Sequence, residues 1–197
     1  MRLGMIFAIG LGFAGVAAAD DSHVQDCSRT EASGLRTICK EAVVPAPPST
    51  VWPLLSTTEG LRSWAAPVAA IDLRIGGTWE TSYRRDARLG DPGNIRNRVL
   101  SFLPEHMLSI VVDSAPAGFP EPILVRTIWT VIELEPVRDE QTRVRVSMTG
   151  YGAGSGYDAL YALFEQGNAL TLSKLRERVV TGRPANWSEA PLMESHP

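Results

Sequence analysis

The stretch IDLRIGGTW, residues 71–79, alternates apolar and polar side chains and then presents two adjacent glycines. A period of two is typical of a strand with one buried face, and a Gly-Gly pair favours a tight turn. We therefore predict a strand over residues 68–75, with its apolar side chains on one face, and a returning strand over residues 79–84. Together these two strands predict a β-hairpin.

Upstream of this hairpin, the sequence predicts one strand followed by two short helices. Residues 37–46 have the pattern of an extended strand, which a cluster of prolines then ends. Ser49 is the candidate N-cap of the first helix, because its hydroxyl can accept a hydrogen bond from an unpaired helical N–H. Pro53 keeps that helix short. The second helix is predicted over residues 57–64.

Downstream, the pattern predicts further strands and one long helix. The strands are expected at residues 95–102, 107–113, 125–135 and 142–150. The helix is expected over residues 157–180, a length of roughly 36 Å that suffices to cross a sheet. Its apolar stripe is predicted to consist of Leu160, Leu163, Phe164, Gly167, Leu170, Thr171, Lys174 and Leu175. Residues 182–197 are polar and rich in proline, which predicts a loose tail.

The N-terminus has the order of a secretory signal peptide. One basic residue, Arg2, precedes an apolar run, and Ala17 and Ala19 follow it two positions apart. Signal peptidase reads this order, so we expect residues 1–19 to be removed and the mature chain to lie in the periplasm or outside the cell. An uncleaved anchor is the alternative, but the apolar run is shorter than the roughly 20 residues that span a bilayer. No integral membrane segment is expected after cleavage.

Charge and cysteine content limit the function classes. The net charge of −3 becomes −4 once Arg2 is removed, and no basic stripe is present, so nucleic-acid binding has no electrostatic support. Cys27 and Cys39 both survive cleavage, and Cys27 lies in a polar leader, residues 20–36, whereas Cys39 lies in the first predicted strand. Export permits them to form a disulfide, although free or intermolecularly paired thiols remain alternatives. The three histidines are too far apart in sequence to predict a metal site, and no cofactor is expected.

The order of elements, together with several motifs, resembles the START-like, or SRPBCC, superfamily, and within it the branch named after the heat-shock-protein-90 ATPase activator homologue. The motifs are VVPAPP at 43–48, VWPLL at 51–55, Leu61 to Trp64, IDLRIGGTW at 71–79, Pro104 to Leu108, TRV at 142–144, Gly150 and EQG at 165–167. The resemblance covers about residues 37–180, and we take residues 37–181 as one domain. One position departs from it, because Asn168 stands where relatives usually carry tryptophan.

This resemblance implies an α+β helix-grip fold. A curved antiparallel sheet of about seven strands would wrap around the long C-terminal helix, with two short helices after the first strand and an elongated cavity between sheet and helix. Strand parity and helical spacing then give the candidate ligand-binding residues. They are Trp64, Trp79, Thr81, Tyr83, Ile110, Val112, Trp129, Met148, Leu160, Phe164 and Thr171. For Trp129 strand parity leaves both faces open, because Thr127, Val131 and Glu133 share its side of the strand. Most aliphatic members of such a set are ordinary core, whereas a buried indole or phenol needs a polar partner that a ligand can supply.

Two functions from different classes follow. The first is a non-catalytic carrier or sensor that binds a small hydrophobic or amphipathic molecule in the cavity. The alternative is an enzyme similar to polyketide cyclases and dehydratases, with Tyr83, Asp72 or an arginine moving a proton. Arg96 and Arg98 are expected to be solvated unless the ligand is an anion. Relatives in the named branch act on a cytosolic chaperone, which an exported protein does not meet, so that partner is not expected.

Overall fold

The computed structural model describes residues 23–187. The predicted signal peptide, residues 1–19, lies outside this range, as do residues 188–197 of the predicted tail. Within the described range, no helix has both the length and the apolar character that crossing a membrane requires.

The described chain alternates short N-terminal elements, a meander of strands and one long helix. The strands are β1 (Gln25–Asp26), β2 (Arg29–Thr30), β3 (Arg36–Val44), β4 (Val68–Ile71), β5 (Thr78–Ser82), β6 (Ile95–Leu103), β7 (Met107–Ser114), β8 (Trp129–Arg138) and β9 (Gln141–Tyr151). The helices are α1 (Pro48–Ser56), α2 (Thr58–Arg62) and α3 (Ser155–Thr181), with a 3₁₀ turn at Leu124–Thr127.

All described strands belong to one antiparallel sheet of nine strands, in the order β1-β3-β9-β8-β7-β6-β5-β4, with β2 also paired to β3. The helix-grip α+β fold is confirmed: the sheet curves around α3. The predicted strand number was about seven, and the two additional strands are β1 and β2. Both lie in the leader, where two-residue pairings leave no periodic signal in the sequence.

The first helix begins one residue before the predicted cap. Pro47 occupies the N-cap position without a side-chain hydrogen bond, and Pro48 is the first helical residue. Proline suits that position because its fixed φ is already helical and its missing N–H would have no partner there. Ser49 is therefore not the N-cap. A side-chain cap of this kind is present at α2, where the Thr57 hydroxyl accepts a hydrogen bond from the Gly60 N–H at 3.0 Å.

The predicted hairpin is present, but its connection is longer than a two-residue turn. β4 ends at Ile71 and β5 begins at Thr78, so Leu73 is half-buried and Ile75 is 72% exposed. The glycine pair bonds to β6: the Gly76 N–H donates to the Val99 carbonyl and the Val99 N–H to the Gly77 carbonyl, both at 2.8 Å. A Cβ at Gly77 would overlap the carbonyl oxygen of Asp72, so only glycine fits this crossing.

Two other predicted boundaries differ. Residues 125–128, predicted as strand, belong to the 3₁₀ turn and its end, and β8 starts at Trp129. The tail also differs over its described part. The Ala185 N–H donates to the Ser63 carbonyl at 2.8 Å, and Trp187 is only 7% exposed. Residues 183–187 therefore pack against the domain, and the expectation of looseness does not hold for them.

The core consists of two clusters of buried side chains. The larger one joins α1 and α2 to the sheet and to the C-terminal half of α3, and it contains Trp64, Trp79, Leu172 and Leu175. The smaller one surrounds Tyr151 and Leu160 near the start of α3. Both clusters contain side chains of the sheet and of α3. The space between the two clusters is not completely filled.

Candidate functional site: a cavity between the sheet and the last helix

A cavity of about 140 Å³ lies between the concave face of the sheet and α3. It separates the two core clusters and takes wall residues from both. Its wall is formed by Trp64, Ala65, Trp79, Thr81, Tyr83, Ile95, Asn97, Ile110, Val112, Thr130, Ile132, Val146, Met148, Phe164, Asn168, Thr171, Leu172 and Leu175. Most of these side chains are apolar, and the polar ones are few, which is the general character of small-molecule sites.

Strand register brings the sheet side of the wall together. Trp79 of β5 lies opposite Asn97 of β6, and Thr130 of β8 lies between Ile110 of β7 and Met148 of β9. Residues directly opposite in an antiparallel pair point to the same face of the sheet. Five strands therefore contribute neighbouring side chains to one continuous concave surface.

Helix α3 supplies the opposite side of the wall. Phe164, Asn168 and Thr171 recur at a spacing of about one turn, so they share one helical face, and Leu172 and Leu175 continue it. Leu172 and Leu175 are each 1% exposed, whereas the first three are partly accessible. The cavity is therefore closed towards the C-terminal half of α3 and more open beside the earlier part of the helix.

The Tyr83 phenol lies beside Thr171 of the helix at this more open part of the cavity. The Thr171 hydroxyl donates to the Gly167 carbonyl at 2.8 Å. Burial raises the pKa of Tyr83 more than the contact with Thr171 lowers it, so the phenol is neutral at physiological pH.

Asn168 contributes a polar group without a partner to this wall. Its side-chain nitrogen, Nδ2, is buried and has no hydrogen-bond partner among the described residues. Leaving a buried donor unpaired costs about 1–3 kcal/mol, and most such groups in native proteins have a partner. Asn168 is also the position where the sequence departs from the family pattern. The departure therefore places an unpaired amide in the wall of the cavity.

No charged side chain belongs to the described wall. Arg96 lies on the outer face and contacts Glu80 and the carbonyls of Gly90 and Asp91, and Arg98 pairs with Asp113. Asp72 pairs with Arg74 at 2.7 Å on the surface. None of the charged groups considered from the sequence lines the cavity.

Of the candidate residues chosen from the sequence, most line the cavity, and two do not. The wall includes Trp64, Trp79, Thr81, Tyr83, Ile110, Val112, Met148, Phe164 and Thr171. Trp129 is 44% exposed on the opposite face of the sheet, because the inward residues of β8 are Thr130 and Ile132. Leu160 is fully buried in the smaller core cluster, one turn before the wall begins at Phe164.

Sequence reasoning missed the polar members Asn97, Thr130 and Asn168. Two of them could have been found. Asn97 follows from the position of Trp79 once the β5–β6 register is known, and Thr130 follows from choosing the correct parity in β8. Asn168 is marked in the sequence by its departure from the family pattern, but that departure alone does not place it in a cavity wall, because most asparagines are exposed. The predicted stripe on α3 also included the exposed Gly167 and left out Leu172.

Larger hollows lie elsewhere on the surface, but their chemistry is different. One of about 500 Å³ lies on the outer face of the sheet beside the Cys27–Cys39 disulfide, and Arg29, Glu133 and Arg145 contribute to its lining. These charged side chains lie on the outer face of the sheet and do not surround an apolar interior. The cavity under α3 is therefore the better candidate for a binding site.

Comparison with solved structures supports this fold. A protein of unknown function, EF2215 from Enterococcus faecalis, has a TM-score of 0.60 at 19% identity over 82% of each chain. CalU16 from Micromonospora echinospora has a TM-score of 0.55 at 18% identity, covering 82% of this chain and 86% of its own. The Aha1 dimer from Colwellia psychrerythraea has 0.55 at 19% identity, covering 73% and 95%. At these identities the likeness shows the fold alone.

Sequence comparison gives the family. Among curated proteins, none matches the chain. The family model described as Activator of Hsp90 ATPase homolog 1-like protein matches residues 45–179, which include α1, the glycine-containing connection between β4 and β5, and nearly all of α3. That range exceeds half of the chain and contains every residue of the cavity wall. The chain therefore belongs to the family of Activator of Hsp90 ATPase homolog 1-like proteins.

Proposed function

We propose that the protein is an exported carrier or sensor that encloses a small hydrophobic or amphipathic molecule in the cavity under α3 and does not transform it. The observation that carries this proposal is the cavity itself, which has a mainly apolar wall with a few polar groups, among them Tyr83, Asn168 and Thr171. A volume of about 140 Å³ is close to the roughly 150 Å³ that accommodates benzene in an engineered cavity. The ligand is accordingly compact.

Export is supported by two features. The sequence of residues 1–19 has the order of a cleavable signal, and Cys27 and Cys39 form a disulfide. Disulfides persist in oxidising compartments and are rare in the cytosol. An exported protein would meet ligands of the periplasm or the surroundings, and the chaperone partner suggested by the family name would be absent there.

A non-catalytic role is supported by the chemistry of the wall. Acid–base catalysis needs a group whose pKa lies near the working pH. The titratable side chain in the wall is Tyr83, whose pKa is raised by burial above its already high usual value. Such a phenol is a hydrogen-bond donor or acceptor at physiological pH and is poorly suited to accept a proton.

The direct experiment is native mass spectrometry of the mature protein purified from its own host. We expect an additional mass that is released on denaturation, and a rise in melting temperature when the bare protein is screened with small cyclic and short-chain compounds. If no bound mass and no thermal shift are found with any such compound, the carrier proposal fails.

Filling the cavity should abolish binding. We expect Val146→Phe to weaken the binding of any compound found in that screen at least tenfold, because Val146 lines the cavity and the added ring would occupy its space. Val131→Phe is the matched control. Val131 lies on the neighbouring strand and opposite Ser147, on the outer face, so binding should be unchanged. Equal effects in both variants would show that the ligand lies elsewhere.

A second candidate, an enzyme similar to polyketide cyclases, is favoured by one observation. Tyr83, the proton donor proposed from the sequence, lies in the cavity wall and is kept neutral. The other proposed group, Asp72, is on the surface, which counts against this candidate. Turnover of a bound compound that is lost in Tyr83→Phe, with binding retained, would favour the enzyme over the carrier.

A further inference from the structure

We propose that the ligand is an uncharged molecule with an acceptor oxygen, of which a cyclic ketone is the simplest example, and that the Asn168 side chain donates a hydrogen bond to that oxygen. This inference rests on the proposed function, because it concerns the ligand of the same cavity. It adds the chemical class of the ligand and the residue that selects it.

The unpaired donor lies in the wall of the cavity. Asn168 Nδ2 is buried and without a partner, and the residue lines the cavity. Three other buried side-chain atoms in the described residues also have no partner, namely Asn94 Oδ1, Arg176 Nε and Arg178 Nε, and none of them belongs to the cavity wall. Asn94 also uses its amide nitrogen in bonds to Glu80 and Arg88, so that side chain is held without a ligand. Asn168 has no such bond.

The nearest hydroxyl on the helix is already engaged. Thr171, three residues after Asn168, donates its proton to the Gly167 carbonyl at 2.8 Å. The Asn168 amide, by contrast, has no bond within the described residues, so a ligand oxygen placed beside it gains a hydrogen bond that the cavity otherwise leaves unmade.

The absence of charged side chains from the described wall limits the ligand further. The described wall contains no acidic, basic or histidine side chain. An ionised ligand would lose its hydration in this cavity without gaining a countercharge, which is strongly unfavourable. A neutral carbonyl group, by contrast, loses less on desolvation and regains a hydrogen bond from the amide. An uncharged ligand with an acceptor oxygen therefore fits the wall better than either a carboxylate or a plain hydrocarbon.

Two matched probes test the inference: cyclohexanone, and methylenecyclohexane, in which a CH₂ group replaces the oxygen at nearly the same shape. Dissociation constants are measured for both probes with the mature protein and with Asn168→Leu. Leucine resembles asparagine in shape, and it favours the helix, so the variant should fold. We expect the preference for the ketone over the alkene to fall about tenfold in the variant, because the oxygen then loses the hydrogen bond from the Asn168 amide.

A surface variant on the same helix provides the control. Gln166 is exposed two residues before Asn168, and Gln166→Leu should leave the preference unchanged. A second readout is direct: in NMR titrations the side-chain NH₂ resonances of Asn168 should shift on addition of cyclohexanone and remain nearly constant on addition of methylenecyclohexane.

The outcomes separate this inference from the proposed function. If both probes bind and the preference is the same in the native protein and in Asn168→Leu, Asn168 is not the donor, while the cavity still binds ligands. If cyclohexanecarboxylate binds more tightly than cyclohexanone, the ligand class is wrong. If no probe binds to either protein, the inference about the ligand class fails, while the carrier proposal is decided by the native mass and the wider thermal screen.

Discussion

Removing the disulfide, by Cys27→Ser together with Cys39→Ser, is expected to lower the free energy of unfolding by about 3 kcal/mol. The two cysteines are 12 positions apart, so the bond closes a short loop and restricts the unfolded chain accordingly. A loss of that size in a domain of this length corresponds to a fall in melting temperature of roughly 6–12 °C. Chemical and thermal denaturation of the mature protein without reductant measure both quantities.

The location of the bond suggests a second consequence. The leader covers the free edge of β3: β1 and β2 pair with it, and the Cys27 N–H donates to the Cys39 carbonyl at 2.9 Å. Two strands of two residues each are too short to stay paired unaided. We therefore expect the double variant to expose the edge of β3 and to associate at high concentration, since unpaired edges are templates for strand addition.

The control for this prediction is chemical. Wild-type protein in reductant should lose the same stability as the double variant, and the variant itself should be insensitive to reductant. A double variant as stable as the wild type would show that the ion pair of Lys40 with Asp26 and the backbone pairing hold the leader sufficiently without the covalent bond.

How much of the fold the sequence predicts depends on the length of each signal. Long alternating strands such as β9 and the long helix α3 were placed to within a few residues, because a repeated period of two or 3.6 accumulates over many positions. The connection between β4 and β5 was misjudged because alternation continues through residues 72–75 after pairing has stopped. There the bonds of the glycine pair to β6 determine the path, and these are tertiary contacts.

The candidate site shows the same limit. Strand parity correctly selected Trp79, Thr81, Ile110 and Val112, since a single register decides a whole face. In β8, a preference for the tryptophan selected Trp129 on the wrong face. Asn168 stands out in the sequence only as a departure from the family pattern, and the unpaired buried atom that gives it importance is visible only in the packed structure.

Trp187→Ala is expected to cost about 3 kcal/mol of unfolding free energy, the lower part of the range for a buried tryptophan. The side chain is 7% exposed, and its indole N–H donates to the Trp64 carbonyl at 3.2 Å. Its ring also lies 5.3 Å from that of Tyr83 in a tilted arrangement. Truncation would remove this apolar contact and leave the Trp64 carbonyl without its side-chain donor.

Trp64 and Tyr83 both line the cavity, and Trp187 packs against them on the side away from it. Trp187→Ala should therefore also release a bound probe faster. Trp129→Ala is the matched control: Trp129 is 44% exposed on the outer face, so its loss should cost below about 1 kcal/mol and leave release unchanged. Denaturation and probe dissociation rates measure the two effects. If Trp187→Ala were as mild as Trp129→Ala, residues 183–187 would be the loose tail that their composition indicates, and the cavity wall would be complete at the end of α3.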